Sequence, residues 1–260
     1  MSRLMGRVII GAWIVLGLTG CAGTGGSGSS DVARLLNAVV LDDAGYVKSA
    51  VQAGSLNVNQ RIPAEGYPDG APVIAIAARS ASLNVLRYLI SAGADVNSRT
   101  PVNETPLMLA SFFYDESQRG LGRAFERHER AARLLVEAGA ELENYPHHYT
   151  PLAYAAYQGN DNIVRFLIQR GARVNADAAR GGAYINTPLM MAAIQGHERV
   201  VKVLLSAGAD ADVRIVGGLT AAELAAKHNH RALAQLLICA QKRYGKTAFE
   251  CRNTLGAFAP

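Results

Sequence analysis

Thr150-Pro151-Leu152-Ala153-Tyr154-Ala155-Ala156 and, eleven residues further on, Leu167-Ile168-Gln169-Arg170-Gly171-Ala172-Arg173-Val174-Asn175 are the two phrases on which the reading of this chain turns. A threonine hydroxyl can accept from the orphan N–H groups of a helix start, and a proline just behind it has φ preset for the first turn. The alanine pair is small enough to let neighbouring helices approach closely. Ile163, Val164, Phe166 and Leu167 then recur at three- and four-residue spacing, the stripe of a second buried helix. Gly171 ends that helix in a left-handed conformation that costs other residues more. The stretch predicts two short helices that cannot bury their apolar faces alone.

The chain solves that problem by repetition. The first phrase returns as Thr105-Pro106-Leu107-Met108-Leu109-Ala110 and Thr187-Pro188-Leu189-Met190-Met191-Ala192-Ala193, and more weakly at Pro72–Ala78 and Thr220–Ala226. The second returns as Leu89–Asn97, Leu135–Leu142 and Leu204–Asp210. These residues closely resemble the ankyrin repeat, a β-turn followed by two antiparallel helices at a period of about 33 residues. The resemblance covers residues 33–237 and implies an all-α repeat solenoid of about six repeats with short β-hairpin fingers. The degenerate first copy and the polar last one, with Lys227, His228, His230 and Arg231, read as caps.

Between the Thr-Pro equivalents the intervals are 33, 45, 37 and 33 residues, and departures from period map to loops. About thirteen extra residues enter the third repeat between Ser111 and Glu129. Phe125, His128, Ala132 and Leu135 keep helical spacing, so its second helix is expected to start one to two turns early. Other lengthenings fall between Gly171 and Thr187 and ahead of Pro72, where Tyr67-Pro68-Asp69-Gly70 stands.

Residues 1–20 have the layout of a signal peptide: Arg3 and Arg7, an apolar run from Val8 to Leu18, then small residues. Leu18-Thr19-Gly20-Cys21 resembles the bacterial lipobox, which implies cleavage before Cys21 and acylation (palmitate among the chains) of that cysteine. Several acyl chains together give stable anchoring, at about 0.8 kcal/mol per buried methylene. Ala22, in place of the aspartate common in inner-membrane lipoproteins, points by the same resemblance to the periplasmic side of the outer membrane rather than to the inner membrane. Residues 21–32 read as the lipidated cysteine and a Gly/Ser tether, and residues 238–260 as a tail. In an oxidising compartment Cys239 and Cys251 are candidates for a bridge worth on the order of 3 kcal/mol; two separate thiols are the alternative.

Composition narrows the rest. Of 260 residues, 50% are hydrophobic and 18% charged, enough to bury a sizeable core. The formal charge of +5 falls once Arg3 and Arg7 are removed, leaving 24 basic against 21 acidic residues. No Lys/Arg-rich run remains, which argues against nucleic acid. The apolar run in the leader is too short to span a bilayer. Catalysis finds no support: there is no Gly-x-Ser-x-Gly, His-Glu-x-x-His, phosphate loop or dinucleotide fingerprint. His197 stands where the ankyrin pattern itself places a helix-start histidine. His147-His148 and His228-Asn229-His230 lack further metal ligands at suitable spacing. No enzyme, metal or cofactor is expected.

Ankyrin proteins recognise partners with the fingertips and the exposed side of the first helices, which line a concave groove. Carried onto this chain, those positions are Arg99, Val102 and Glu104; Phe112 and Phe113; Tyr145, His147, His148 and Tyr149; Tyr157 and Gln158; Tyr184; Ile194; and Arg214. Phe112, Phe113, Tyr114, Phe125, Tyr145, Tyr149, Tyr154 and Tyr157 crowd the middle of the array, and aromatic residues are what interfaces concentrate at hot spots. Either these rings form a partner site, or the insertion folds over the third repeat and buries them. The resulting expectation is a monomeric, protein-binding lipoprotein. By analogy of fold and address it resembles immunity proteins that occlude antibacterial phospholipase toxins of type VI secretion. The alternative is an envelope scaffold or assembly factor for a resident periplasmic or outer-membrane protein.

Overall fold

A computed structural model describes residues 27–112, 121–143, 149–175, 186–214 and 218–241. Within them, twelve helices form six consecutive antiparallel pairs. They are α1 (Ser27–Val40) with α2 (Ala44–Gln52), α3 (Val73–Arg79) with α4 (Leu83–Ser91), and α5 (Pro106–Ser111) with α6 (Leu121–Glu137). The array continues with α7 (Pro151–Gln158) and α8 (Asp161–Gln169), α9 (Pro188–Gln195) and α10 (Glu198–Ser206), then α11 (Ala221–Lys227) and α12 (Arg231–Ala240). First helices pack on first helices from α1 to α11, and second helices on second helices from α2 to α10, giving the two layers of a solenoid.

Local chemistry explains each pair. Thr105, Thr150, Thr187 and Thr220 cap α5, α7, α9 and α11, each hydroxyl accepting from the N–H three residues on at 3.2–3.3 Å. Glu223 reciprocates by accepting from the Thr220 N–H at 2.7 Å. In the α3 copy Pro72 holds the cap position and offers no side-chain bond. At the far end, the recurring Gly-Ala closes a second helix with its glycine in the left-handed region, φ 95° at Gly171. The following alanine N–H then donates back across the turn, Ala172 to Leu167 O at 2.9 Å. Ala77, Ala78, Ala110, Ala155, Ala156, Ala192 and Ala193 are fully buried between the layers, as close helix approach requires.

Two of the departures from period are visible. The lengthening ahead of α3 is an antiparallel hairpin, β1 (Arg61–Ala64) with β2 (Tyr67–Pro72), bulged between Ile62 and Ala64. The long third repeat extends α6 backwards to Leu121, so that it runs 17 residues against nine for α8 and α10. One boundary differs from expectation. Helix α1 begins at Ser27, inside the segment read as tether, because Leu35, Ala38 and Val39 are buried at helical spacing and the helix they anchor runs back through the serines. No helix among the described residues is long and apolar enough to cross a membrane.

Candidate functional site

The finger between α4 and α5 is a closed loop. Thr100 N–H donates to Glu104 O at 2.9 Å, and Glu104 N–H donates to the Thr100 hydroxyl at 3.0 Å. Asn103 takes φ 65° to complete the turn. Val102 is thereby lifted to the tip, 51% exposed, an apolar side chain with nothing of its own fold to cover it. Glu104 is turned the other way. Its Oε2 accepts from the Tyr67 hydroxyl of β2 at 2.5 Å, and the Tyr154 phenol of α7 lies close enough to feel the same carboxylate's charge. One side chain thus joins a hairpin and a finger from successive repeats and sits beside a helix of the next. Burial, and then the negative charge of Glu104, push both phenols above the ordinary tyrosine range.

Beside this carboxylate the aromatic rings form a cluster. Phe112, at the end of α5, meets Tyr154 edge to face at 5.3 Å and stacks on Tyr157 at 6.1 Å. Tyr149 meets Tyr154 edge to face at 6.2 Å. The geometry follows from spacing: Tyr154 and Tyr157 are one turn apart on α7, and α5 packs directly alongside. Phe112, Tyr149, Tyr154 and Tyr157 all remain half-buried. The rings support one another, and each still shows surface.

The other expected positions divide. Gln158 and Ile194 lie half-buried at the ends of α7 and α9. Arg99 is engaged internally, donating to Asn103 at 3.1 Å and lying 3.9 Å from Glu141. Arg214 donates to Gly218 O and pairs with Glu223 at 3.4 Å, which ties it to the cap of α11. Cys21, Phe113, Tyr145, His147, His148, Tyr184 and Cys251 lie outside the described residues. The Cys239–Cys251 bridge lies outside them too, with Cys239 half-buried on α12.

Histidines serve the joints between helices. His197 Nε2 meets Tyr157 O at 2.9 Å, and His230 Nε2 meets Ile194 O at 3.1 Å, each reaching back one repeat. Burial and the nearby His230 lower the pKa of His197, against the raising effect of the Tyr157 carbonyl. His128 is enclosed and bonds Ala110 O at 3.0 Å. Among the described residues no three of His, Cys, Asp and Glu are grouped to hold a metal ion.

Tyr67 is the site residue that sequence reasoning missed. It stands in a lengthened finger outside the repeat pattern, 37 residues from Glu104, where the hairpin turns at Glu65 and Gly66, and Pro68 and Gly70 fall within β2.

A stacked array of helix pairs, with a projecting finger beside a cluster of half-buried aromatic rings, defines a repeat protein. Models of ankyrin repeats match residues 74–178 and 179–248, and a second such model matches residues 152–205. The chain belongs to the ankyrin-repeat family, a protein-interaction module. No curated protein matches the chain significantly.

Proposed function

We propose that this chain is a lipid-anchored periplasmic protein whose ankyrin groove neutralises a toxin by occluding it. The observation that carries the binding reading is the half-exposed row Phe112, Tyr149, Tyr154 and Tyr157 beside Glu104, rigid aromatic surface of the kind that supplies most binding energy at interfaces. The leader and the Leu18-Thr19-Gly20-Cys21 box support the address. A guard held at the membrane suits a toxin that attacks that membrane, and an antibacterial phospholipase delivered by type VI secretion is the proposed class.

The test is affinity capture with the mature chain from Ala22, unacylated, against lysate and secreted protein of its own species. A second bait carries Phe112→Ala, Tyr149→Ala and Tyr157→Ala. Capture of one secreted lipase, lost with the triple change and inhibited at near-stoichiometric ratio by the unaltered chain, is the expected result. A resident envelope protein captured instead makes the chain a scaffold, and lipase activity that persists in a saturated complex overturns occlusion.

A further inference from the structure

The structure treats one of its sequestered carboxylates differently from the others. Asp42, Glu129, Glu143 and Asp161 have side chains under 20% exposed, and each has a guanidinium within 4 Å. Glu104, also partly buried, enters no such ion pair among the described residues; the Tyr67 phenol and the Thr100 hydroxyl donate to it instead, with the Tyr154 phenol nearby. Neutral donors stabilise a carboxylate without cancelling its charge, so Glu104 keeps a charge that no ion pair within 4 Å offsets among the described residues.

The surroundings add to it. Tyrosine and phenylalanine present negative ring faces, and a phenol whose O–H is committed to Glu104 has only its ring left to offer outward. The same cluster already receives one cation of the chain itself: the Arg79 guanidinium lies 5.7 Å from the Tyr67 centroid, held there by its bond to Glu65 O at 2.9 Å. One carboxylate with phenols is too poor a ligand set for a divalent ion, which asks for about six oxygens. A carboxylate flanked by rings instead suits a cationic side chain that can stack and pair together.

We infer that the groove contains a subsite for an arginine or lysine side chain of the partner protein, with Glu104 as counter-charge and Tyr154 and Phe112 as the walls. This rests on the groove being the protein-binding surface. The subsite would fix the partner's register and orientation, because a misplaced neutral or acidic residue leaves Glu104 unpaired or repelled.

The test uses the mature chain with ¹³C-labelled tyrosine, titrated at constant ionic strength with acetyl-Gly-Arg-Gly-amide, its citrulline counterpart, and choline. The expected result is a saturable shift of the Tyr154 ring resonances with the arginine peptide, at least tenfold weaker with citrulline and with choline. Glu104→Gln, which keeps an oxygen for the Tyr67 phenol, should weaken arginine binding at least tenfold while the free protein keeps the urea midpoint of a folded array. Equal response to arginine and citrulline overturns the inference without any variant, so a failure of Glu104→Gln to fold does not leave it undecided. Tighter binding of choline overturns it in favour of a lipid headgroup. Partner capture separates the two readings: if the triple aromatic change abolishes capture and Glu104→Gln does not, the groove stands and the subsite falls; if neither change affects capture, the groove reading itself fails.

Discussion

His128 Nδ1 lies 3.0 Å from the carbonyl oxygen of Ala110, and a carbonyl only accepts, so this nitrogen carries the proton. The bond replaces one that the other repeats make with backbone. Ser82, Asn160 and His197 stand, like His128, eleven residues before the glycine of their second helix, and their N–H groups donate to Ala77, Ala155 and Ala192 at 2.9–3.2 Å. In the third repeat α6 runs straight through this position, and the imidazole takes over the orphaned carbonyl. Burial lowers the pKa of His128 from 6.5 to about 4, with Arg127 adding to that effect and the Ala110 carbonyl opposing it.

The unfolded chain therefore binds a proton near pH 6.5 that the folded chain refuses until about pH 4. The contribution is complete above pH 6.5 and is lost on acidification through this window, on the order of 3 kcal/mol in all. His128→Asn, whose amide nitrogen can make the same donation without titrating, should flatten that part of the pH profile. His128→Ala should cost about 2 kcal/mol at pH 7 by leaving the carbonyl unsatisfied. Urea midpoints measured from pH 4 to 8 check both.

Gly159 and Gly196 end their helices at φ 78° and 76° beneath the rings of His197 and His230. A Cβ at Gly159 would sit 2.6 Å from His197 Nδ1, and one at Gly196 2.5 Å from His230. Gly159→Ala should cost about 2–3 kcal/mol, from left-handed backbone strain together with a displaced ring. The midpoint of urea unfolding should fall with the slope unchanged.

The fingers are laced by asparagines. Asn97 accepts from Glu141 N–H at 2.8 Å and donates to Gly139 O at 3.3 Å; Asn175 does the same with Asp210 and Gly208, both at 3.0 Å. Glu143 holds this place between the third and fourth repeats. It accepts from Arg173 N–H at 2.9 Å, but a carboxylate has nothing to donate, and its second oxygen accepts no hydrogen bond. Burial raises the pKa of Glu143, against the lowering effects of Arg173, so its charged form opposes folding and stability declines as pH rises through its titration. Glu143→Asn should restore the donor and raise stability by about 0.5–1 kcal/mol at pH 7, read as an increase in Tm.

Phe166 is fully enclosed, with the guanidinium carbons of Arg133 and Arg170 at 4.4 and 4.8 Å from its ring centre. These arginines come from adjacent second helices, so the ring couples α6 to α8. A double-mutant cycle of Arg133→Met with Phe166→Leu should return a coupling of about 0.5–1 kcal/mol.

Helix starts at Thr105, Thr150, Thr187 and Thr220, the six repeats and the early start of α6 were legible because each follows from local chemistry at fixed spacing. The start of α1 was not: glycine and serine read as linker by composition, and only burial of Leu35, Ala38 and Val39 against the next repeat makes the segment helical. Of the candidate residues, the places of Glu104, Phe112, Tyr149 and Tyr157 on a finger and at helix ends could be read from the repeat register. The Tyr67–Glu104 bond could not, because it depends on how an irregular hairpin folds over a neighbour. Nor did spacing show that Arg214 is spent on the cap of α11.

An array of near-identical units has a weakness as a recognition surface: a ligand that matches one stretch almost matches the stretch one unit away, and can bind out of step. The long α6 removes that ambiguity. Its additional residues carry it about 12 Å beyond the ends of α8 and α10, a landmark that no other second helix among the described residues shares. A partner that has to fit beside it meets only one position along the array, so this irregularity turns a surface with translational near-symmetry into one with a single address.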